Sequence, residues 1–136
     1  METVSNQELM HLLNQRKRLL EKEMNLFLKK HDLFTSQWSI LFCIHRFGPM
    51  SQTDIWKYLN VEAPTVTRTL AKMEKSGWIK RQSGDDKRER IIELTEETKE
   101  KFPFIKQTVD KIESKLLVNL TTQEKSQLSY LLNKIG

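Results

Sequence analysis

Over most of its length the chain repeats apolar residues at spacings of three and four. The one interruption, between Gly77 and Thr95, is what most restricts the folds open to it. There two short runs rich in β-preferring residues, WIKRQ and RIIEL, flank Ser83-Gly84-Asp85-Asp86 and predict a β-hairpin. Its tip, GDDKRER over residues 84–90, packs charge of both signs between apolar neighbours. A single hairpin inside a helical pattern predicts a mainly α fold with a small β-hairpin. Only four Gly and three Pro punctuate the chain elsewhere, so long helices are expected.

The helices can be placed by their caps. Ser5-Asn6-Gln7-Glu8 has the form of a capping box and opens an amphipathic helix to about Lys30. Leu9, Leu12, Leu13, Leu19, Leu20, Met24, Phe27 and Leu28 form its stripe, with Arg16, Lys17 and Arg18 facing solvent. Thr35 or Ser36 caps a second helix, which Gly48-Pro49 ends. Ser51-Gln52-Thr53-Asp54 opens a short third helix carrying Ile55, Trp56 and Leu59. The fourth lies in VEAPTVTRTLAKMEKSG, with Pro64 near its start, Val66, Leu70 and Met73 on one face, and Gly77 at its end. After the hairpin, Thr95-Glu96-Glu97 caps a helix running to about Leu120, with a kink or a late start expected at Pro103. Thr121-Thr122-Gln123-Glu124 is a further capping box before a last helix with Leu128, Leu131, Leu132 and Ile135.

At 136 residues the chain fits one domain, residues 1–136. No apolar run approaches the roughly 20 residues of a membrane span, and METVSNQELM lacks the basic-then-apolar form of a signal peptide, so no membrane partner is expected. A lone cysteine, Cys43, forms no internal disulfide, and a cytoplasmic protein is expected. Cys43 lies in the apolar run Leu41-Phe42-Cys43-Ile44 and reads as a buried structural thiol. His11, His31 and His45 are dispersed without metal-ligand spacing, and Trp38, Trp56 and Trp78 read as packing residues. No nucleophile signature or glycine-rich phosphate loop is present, so the chain reads as a non-enzyme without cofactor or metal.

The net charge of +5 favours a polyanionic partner, and the placement of the charge is more informative than its sum. The fourth helix shows Thr65, Thr67, Arg68, Thr69 and Lys72 on the face away from its apolar residues. Threonine is a poor helix former, so such a face either packs and caps or is kept for contact. Short hydroxyls at a helix start can meet phosphates and base edges, and an arginine can reach guanine O6 and N7. The hairpin then adds Lys80, Arg81, Lys87, Arg88 and Arg90. A polar helix beside a basic hairpin matches a winged helix-turn-helix, with the helix in the major groove and a wing arginine in the minor groove of double-stranded DNA. The cations of GDDKRER would face the duplex, and Asp85, Asp86 and Glu89 would aim them.

These residues resemble one family. DDKRERIIELT, with Asp86, Arg88, five further residues and then Leu94-Thr95, resembles the wing signature D-x-R-x(5)-L-T of MarR-type regulators. APTVTRTLAKMEKSGWIKR is similar to their recognition helix and following strand, although Pro64 stands where a small polar residue is common. The resemblance implies a winged core over residues 35–98 and dimerisation helices over 1–34 and 99–136. It implies a homodimer reading a pseudo-palindromic operator, whose half-sites lie about 10–10.5 bp apart, centre to centre, or a multiple of that. Pro64, Thr65, Thr67, Arg68, Thr69 and Lys72 would form the recognition face. Lys80, Arg81, Asp86, Lys87, Arg88 and Arg90 would form the wing, and Ser51 and Gln52 would meet the DNA backbone. Arg88 would enter the minor groove, supported by Asp86. The expected function is a ligand- or signal-responsive repressor, with a small-molecule effector of unassigned identity in the cleft between the dimer helices and the winged core. The alternative is a winged-helix module that docks on another protein, against which the charge of the wing argues.

Overall fold

The computed structural model describes residues 3–83 and 90–136; Asp86, Lys87 and Arg88 lie outside them. Helix α1 (Asn6–Leu28) opens with the expected capping box: the Ser5 hydroxyl accepts from the Glu8 N–H at 3.1 Å, and the Glu8 carboxylate accepts from the Ser5 N–H at 3.3 Å. A single 3-10 turn, Lys29–His31, and a left-handed Asp32 (φ 58°) reverse the chain. Helix α2 (Thr35–Phe47) is not capped by Thr35 or Ser36, because Phe34 is its N-cap. The physical reason is tertiary. The Thr35 N–H donates to Asn25 Oδ1 on α1 at 2.8 Å, and the Gln37 side chain accepts from the Phe34 N–H at 3.1 Å. The helix start is thus satisfied without a local hydroxyl.

Gly48, at φ 80°, ends α2 and turns the chain into β1 (Met50–Ser51), a two-residue strand absent from the expectations above. Ser51 then caps α3 (Gln52–Leu59), its hydroxyl accepting from the Asp54 N–H at 3.1 Å. Helix α4 spans Ala63–Lys75 with Pro64 in its first turn, where the missing N–H costs nothing. Strands β2 (Ile79–Ser83) and β3 (Arg90–Leu94) pair antiparallel, and β1 joins the other edge of β3, giving the order β1-β3-β2. Helix α5 (Glu96–Leu116) starts at its Thr95 cap and is continuous through Pro103, with no late start. Pro103 sits on the exposed face, so water can take the Lys99 carbonyl that the ring leaves without a donor. The helix stops at Leu116, short of Leu120, and α6 (Thr122–Asn133) follows its own capping box at Thr121 and Glu124.

The core gathers Leu28, Leu41, Ile55, Leu70, Met73, Ile79, Ile92 and Ile105 from α1 to α5, β2 and β3, with Met50 of β1 partly buried against it. Phe102 of α5 is its keystone: it stacks on Trp38 at 5.2 Å and on His45 at 4.0 Å, between two residues of α2. Cys43 is buried as expected, with its sulfur 3.1 Å from that of Met50, and desolvation raises its thiol pKa. Trp38 and Trp78 are buried, whereas Trp56 is half-buried against the edge of the core. Helix α6 buries none of its residues: Leu131 is 55% exposed and Leu132 47%; Ile135 beyond its end is 58% exposed, and Phe104 on α5 is 70% exposed. Among the described residues no helix is long and apolar enough to cross a membrane.

Candidate nucleic-acid interface

Helices α3 and α4 are joined by a tight turn in which Asn60 is left-handed (φ 54°). Val66, Leu70 and Met73 bury one face of α4 in the core. The opposite face therefore stands outward: Pro64, Thr65, Thr67, Arg68 and Lys72 are exposed and Thr69 is half-buried. Three- and four-residue spacing makes this outcome unavoidable once Leu70 is at 0% exposure.

The threonines are arranged for more than capping. Thr67 Oγ1 donates to the Ala63 carbonyl and Thr69 Oγ1 to the Thr65 carbonyl, each at 2.9 Å. Gln52 Nε2 of α3 in turn donates to Thr67 Oγ1. Both hydroxyl protons are thus committed inside the helix, so Thr67 and Thr69 offer methyl groups and acceptor lone pairs rather than donors. Gln52 ties the two helices of the motif together. Ser51 is buried with its hydroxyl engaged as the α3 cap, so that helix start offers backbone rather than the Ser51 side chain.

Strand parity divides the cations of the hairpin. Ile79, Arg81, Ile92 and Leu94 lie on one face of the sheet, because Ile79 opposes Leu94 and Arg81 opposes Ile92. That face is the core face. The Arg81 side chain is accordingly only 16% exposed, with Nε 3.2 Å from Glu74 Oε2 at the end of α4. The buried Nε–H has no aligned acceptor, so the contact is an ion pair and not a hydrogen bond. Lys80 faces the other way and pairs at 3.3 Å with Glu93, its partner across the ladder, which also accepts from Gln82. Arg90 is exposed at the end of the ladder nearest the tip, opposite Ser83. The structure therefore brings Arg68, Lys72 and the fourth-helix threonines onto one face, and separates Arg81 from them.

One feature escaped the sequence reading. Thr95 Oγ1 donates to the Gly77 carbonyl at 2.7 Å, and Thr98 Oγ1 donates to the Trp78 carbonyl at 2.8 Å. The two hydroxyls clasp the start of α5 to the α4–β2 turn and so fix the hairpin relative to α4. Thr95 announces itself in sequence only as a helix cap, and Thr98 gives no signal at all. Among the described residues no group of three or more His, Cys, Asp or Glu side chains could hold a metal ion.

With this geometry in place, comparison with known proteins is informative. A sequence profile of the MarR family matches residues 34–89. The chain is 44% identical over 126 residues to the uncharacterized HTH-type transcriptional regulator YwoH of Bacillus subtilis (strain 168), covering 93% of this chain and 92% of that one. Among solved structures, a cysteine-to-serine mutant of MarR from E. coli complexed with operator DNA matches with a TM-score of 0.80 at 28% identity, covering 93% of this chain and 89% of that one. A MarR-like transcription regulator from Bacillus cereus ATCC 10987 matches with a TM-score of 0.82 over 95% of this chain and 94% of that one; at 19% identity it bears on the fold alone.

Proposed function

The chain belongs to the MarR family and is a transcriptional regulator, and on that premise we propose that it is a cytoplasmic, effector-responsive repressor that binds a pseudo-palindromic operator in double-stranded DNA as a homodimer. The observation that carries this reading is the outward face of α4, where Arg68 and Lys72 stand exposed beside Pro64, Thr65 and Thr67. The E. coli MarR mutant solved with operator DNA and an AbfR structure bound to DNA, 25% identical with a TM-score of 0.73 over 96% of each chain, support it by likeness.

In this account α4 enters the major groove. Arg68 presents a bidentate donor pair to a guanine edge, and Lys72 meets phosphate. The methyls of Thr67 and Thr69, with their hydroxyl protons held by the helix, suit thymine methyl groups. Arg88 enters the neighbouring minor groove, where negative potential is strongest, with Asp86 aiming it and Lys87 and Arg90 on the backbone. Lys80 and Arg81 hold the wing through Glu93 and Glu74, and Gln52 holds α4 through Thr67. The apolar faces of α1, α5 and α6 pack on a second copy, which supplies the second half-site and covers the leucines that one chain leaves in water. An effector that prefers one spacing of the two α4 helices shifts the population away from the DNA-binding form.

The test is mutational. On a duplex recovered from a random-sequence selection, Arg68→Ala should cost on the order of 1–3 kcal/mol and relax discrimination at one base position. Arg88→Ala should weaken binding and lower the salt slope by about one. Equal affinity of both variants and the wild type would remove the assignment.

A further inference from the structure

Of the two helices of the reading motif, only α3 starts with a side-chain cap. Ser51 holds the first turn of α3 through its hydroxyl, as Ser5, Thr95 and Thr121 do for α1, α5 and α6. The N-cap of α4 is Glu62, extended at φ −60° and ψ 137°, and its side chain makes no bond to the turn. Its carbonyl accepts from the Val66 N–H at 3.2 Å, so the backbone part of the cap is in place. Glutamate is not among the residues that cap well, because its extra methylene carries the carboxylate past the N–H groups of the first turn. The Glu62 side chain is exposed and forms no ion pair with any described residue. The other acid of this helix, Glu74, is held by Arg81 at 3.2 Å. A free carboxylate therefore leads the surface that carries Pro64, Thr65, Arg68 and Lys72.

A negative charge at that place is unfavourable beside phosphate and weakens the grip on any duplex, whatever its sequence. The repulsion is offset where the carboxylate meets a donor. In the major groove the amine donors are cytosine N4 and adenine N6. Adenine sets its N7 acceptor next to the amine, which repels a carboxylate, whereas cytosine presents the amine alone. We propose that Glu62 is a specificity-determining residue: its carboxylate accepts from the N4 amine of one cytosine in each half-site and penalises duplexes that lack it. Glu62 precedes Arg68 by six residues, about 9 Å along a helix. That is two to three base steps of roughly 3.4 Å, so the cytosine stands two or three pairs from the guanine that Arg68 reads. The inference rests on the reading of α4 as the groove helix given above. An acid at a helix start also favours the helix through its dipole, and a serine cap there would serve stability better than Glu62 does. Stability and discrimination are thus expected to move in opposite directions on substitution.

The test is a random-sequence selection on the full-length wild type, Arg68→Ala and Glu62→Ser, followed by fluorescence anisotropy on the wild-type duplex. Arg68→Ala locates the guanine. The wild-type pool should hold a cytosine two or three pairs away that the Glu62→Ser pool lacks. Changing that C·G pair to T·A exchanges an amine donor for an acceptor. It should weaken the wild type roughly fivefold to tenfold and Glu62→Ser by less than about twofold. Glu62→Ser should also melt at a higher temperature than wild type, which separates a reading role from a stabilising one. Glu62→Gln, which removes the charge at nearly constant shape, should bind unrelated duplex roughly threefold tighter. Identical pools from wild type and Glu62→Ser, or equal losses on the C·G to T·A change, would overturn the proposal and leave the operator reading standing. A wild type that selects no sequence at all would overturn both.

Discussion

The clasp between α5 and the α4–β2 turn makes a quantitative prediction. Thr98 is 1% exposed, and its hydroxyl donates to the Trp78 carbonyl at 2.8 Å. Replacing Thr98 by Val keeps the shape and removes the donor. An intramolecular hydrogen bond contributes a net 0.5–1.5 kcal/mol, roughly, and an acceptor left bare in the interior costs about 1–3 kcal/mol. The Trp78 carbonyl is not left bare, because it also accepts from the Thr95 N–H at 3.3 Å. The loss should therefore sit near the lower figure, about 1 kcal/mol. Thr95→Val removes the cap on the Thr98 N–H at 3.2 Å and the bond to the Gly77 carbonyl at 2.7 Å, while the 2.9 Å contact between the Thr95 and Thr98 hydroxyls is lost in either variant. Cap and bond together predict about 2 kcal/mol. Urea unfolding at one protein concentration, followed by circular dichroism, should show both midpoints lowered with unchanged m-values, Thr95→Val the further of the two. A Thr98→Val protein as stable as wild type, or a Thr95→Val protein less affected than Thr98→Val, would refute the clasp.

Two other perturbations test different parts of the molecule. Glu113 has a folded-state pKa raised above its unfolded value, so its contribution to stability is fully present below the ordinary carboxylate range and is lost as pH rises through the raised value. Glu113→Gln should accordingly have a higher Tm than wild type at neutral pH, with the two converging as pH falls below the carboxylate range; a constant difference across pH would contradict the sign. At the other end of the chain, Leu131 is 55% exposed on α6. Leu131→Asp should leave helical content intact, shift sedimentation toward the monomer and abolish operator binding, whereas an unchanged dimer would show that α6 is not part of the interface.

Much of the architecture is legible because it is set by short-range chemistry. The Ser5–Glu8 and Thr121–Glu124 boxes, the Ser51 and Thr95 caps and the left-handed Gly77 all act within a few residues of themselves. Val66, Leu70 and Met73 fix which face of α4 is buried, and so which residues stand outward, by periodicity alone. What is not legible depends on partners remote in sequence. Strand β1 has two residues and exists only because β3 pairs with them. The cap of α2 moves to Phe34 because Asn25, ten residues before Thr35, supplies the acceptor for the Thr35 N–H. Arg81 reads as one more wing cation until the register puts it on the core face with Ile92, and Lys80 and Arg81 then prove to be neighbours with opposite orientations. The committed protons of Thr67 and Thr69 are likewise invisible in sequence, where a threonine face reads as a row of donors.

The central claim is that α4 and the wing of a dimer read one DNA sequence. Fluorescence anisotropy of the wild-type protein, on a duplex from its own selected pool against an excess of unrelated duplex and over a range of salt, tests it most directly. The account predicts binding that survives the competitor, weakens linearly in log affinity against log salt, and saturates at two protomers per duplex. Binding no tighter than to the unrelated duplex, or saturation at one protomer, would contradict it.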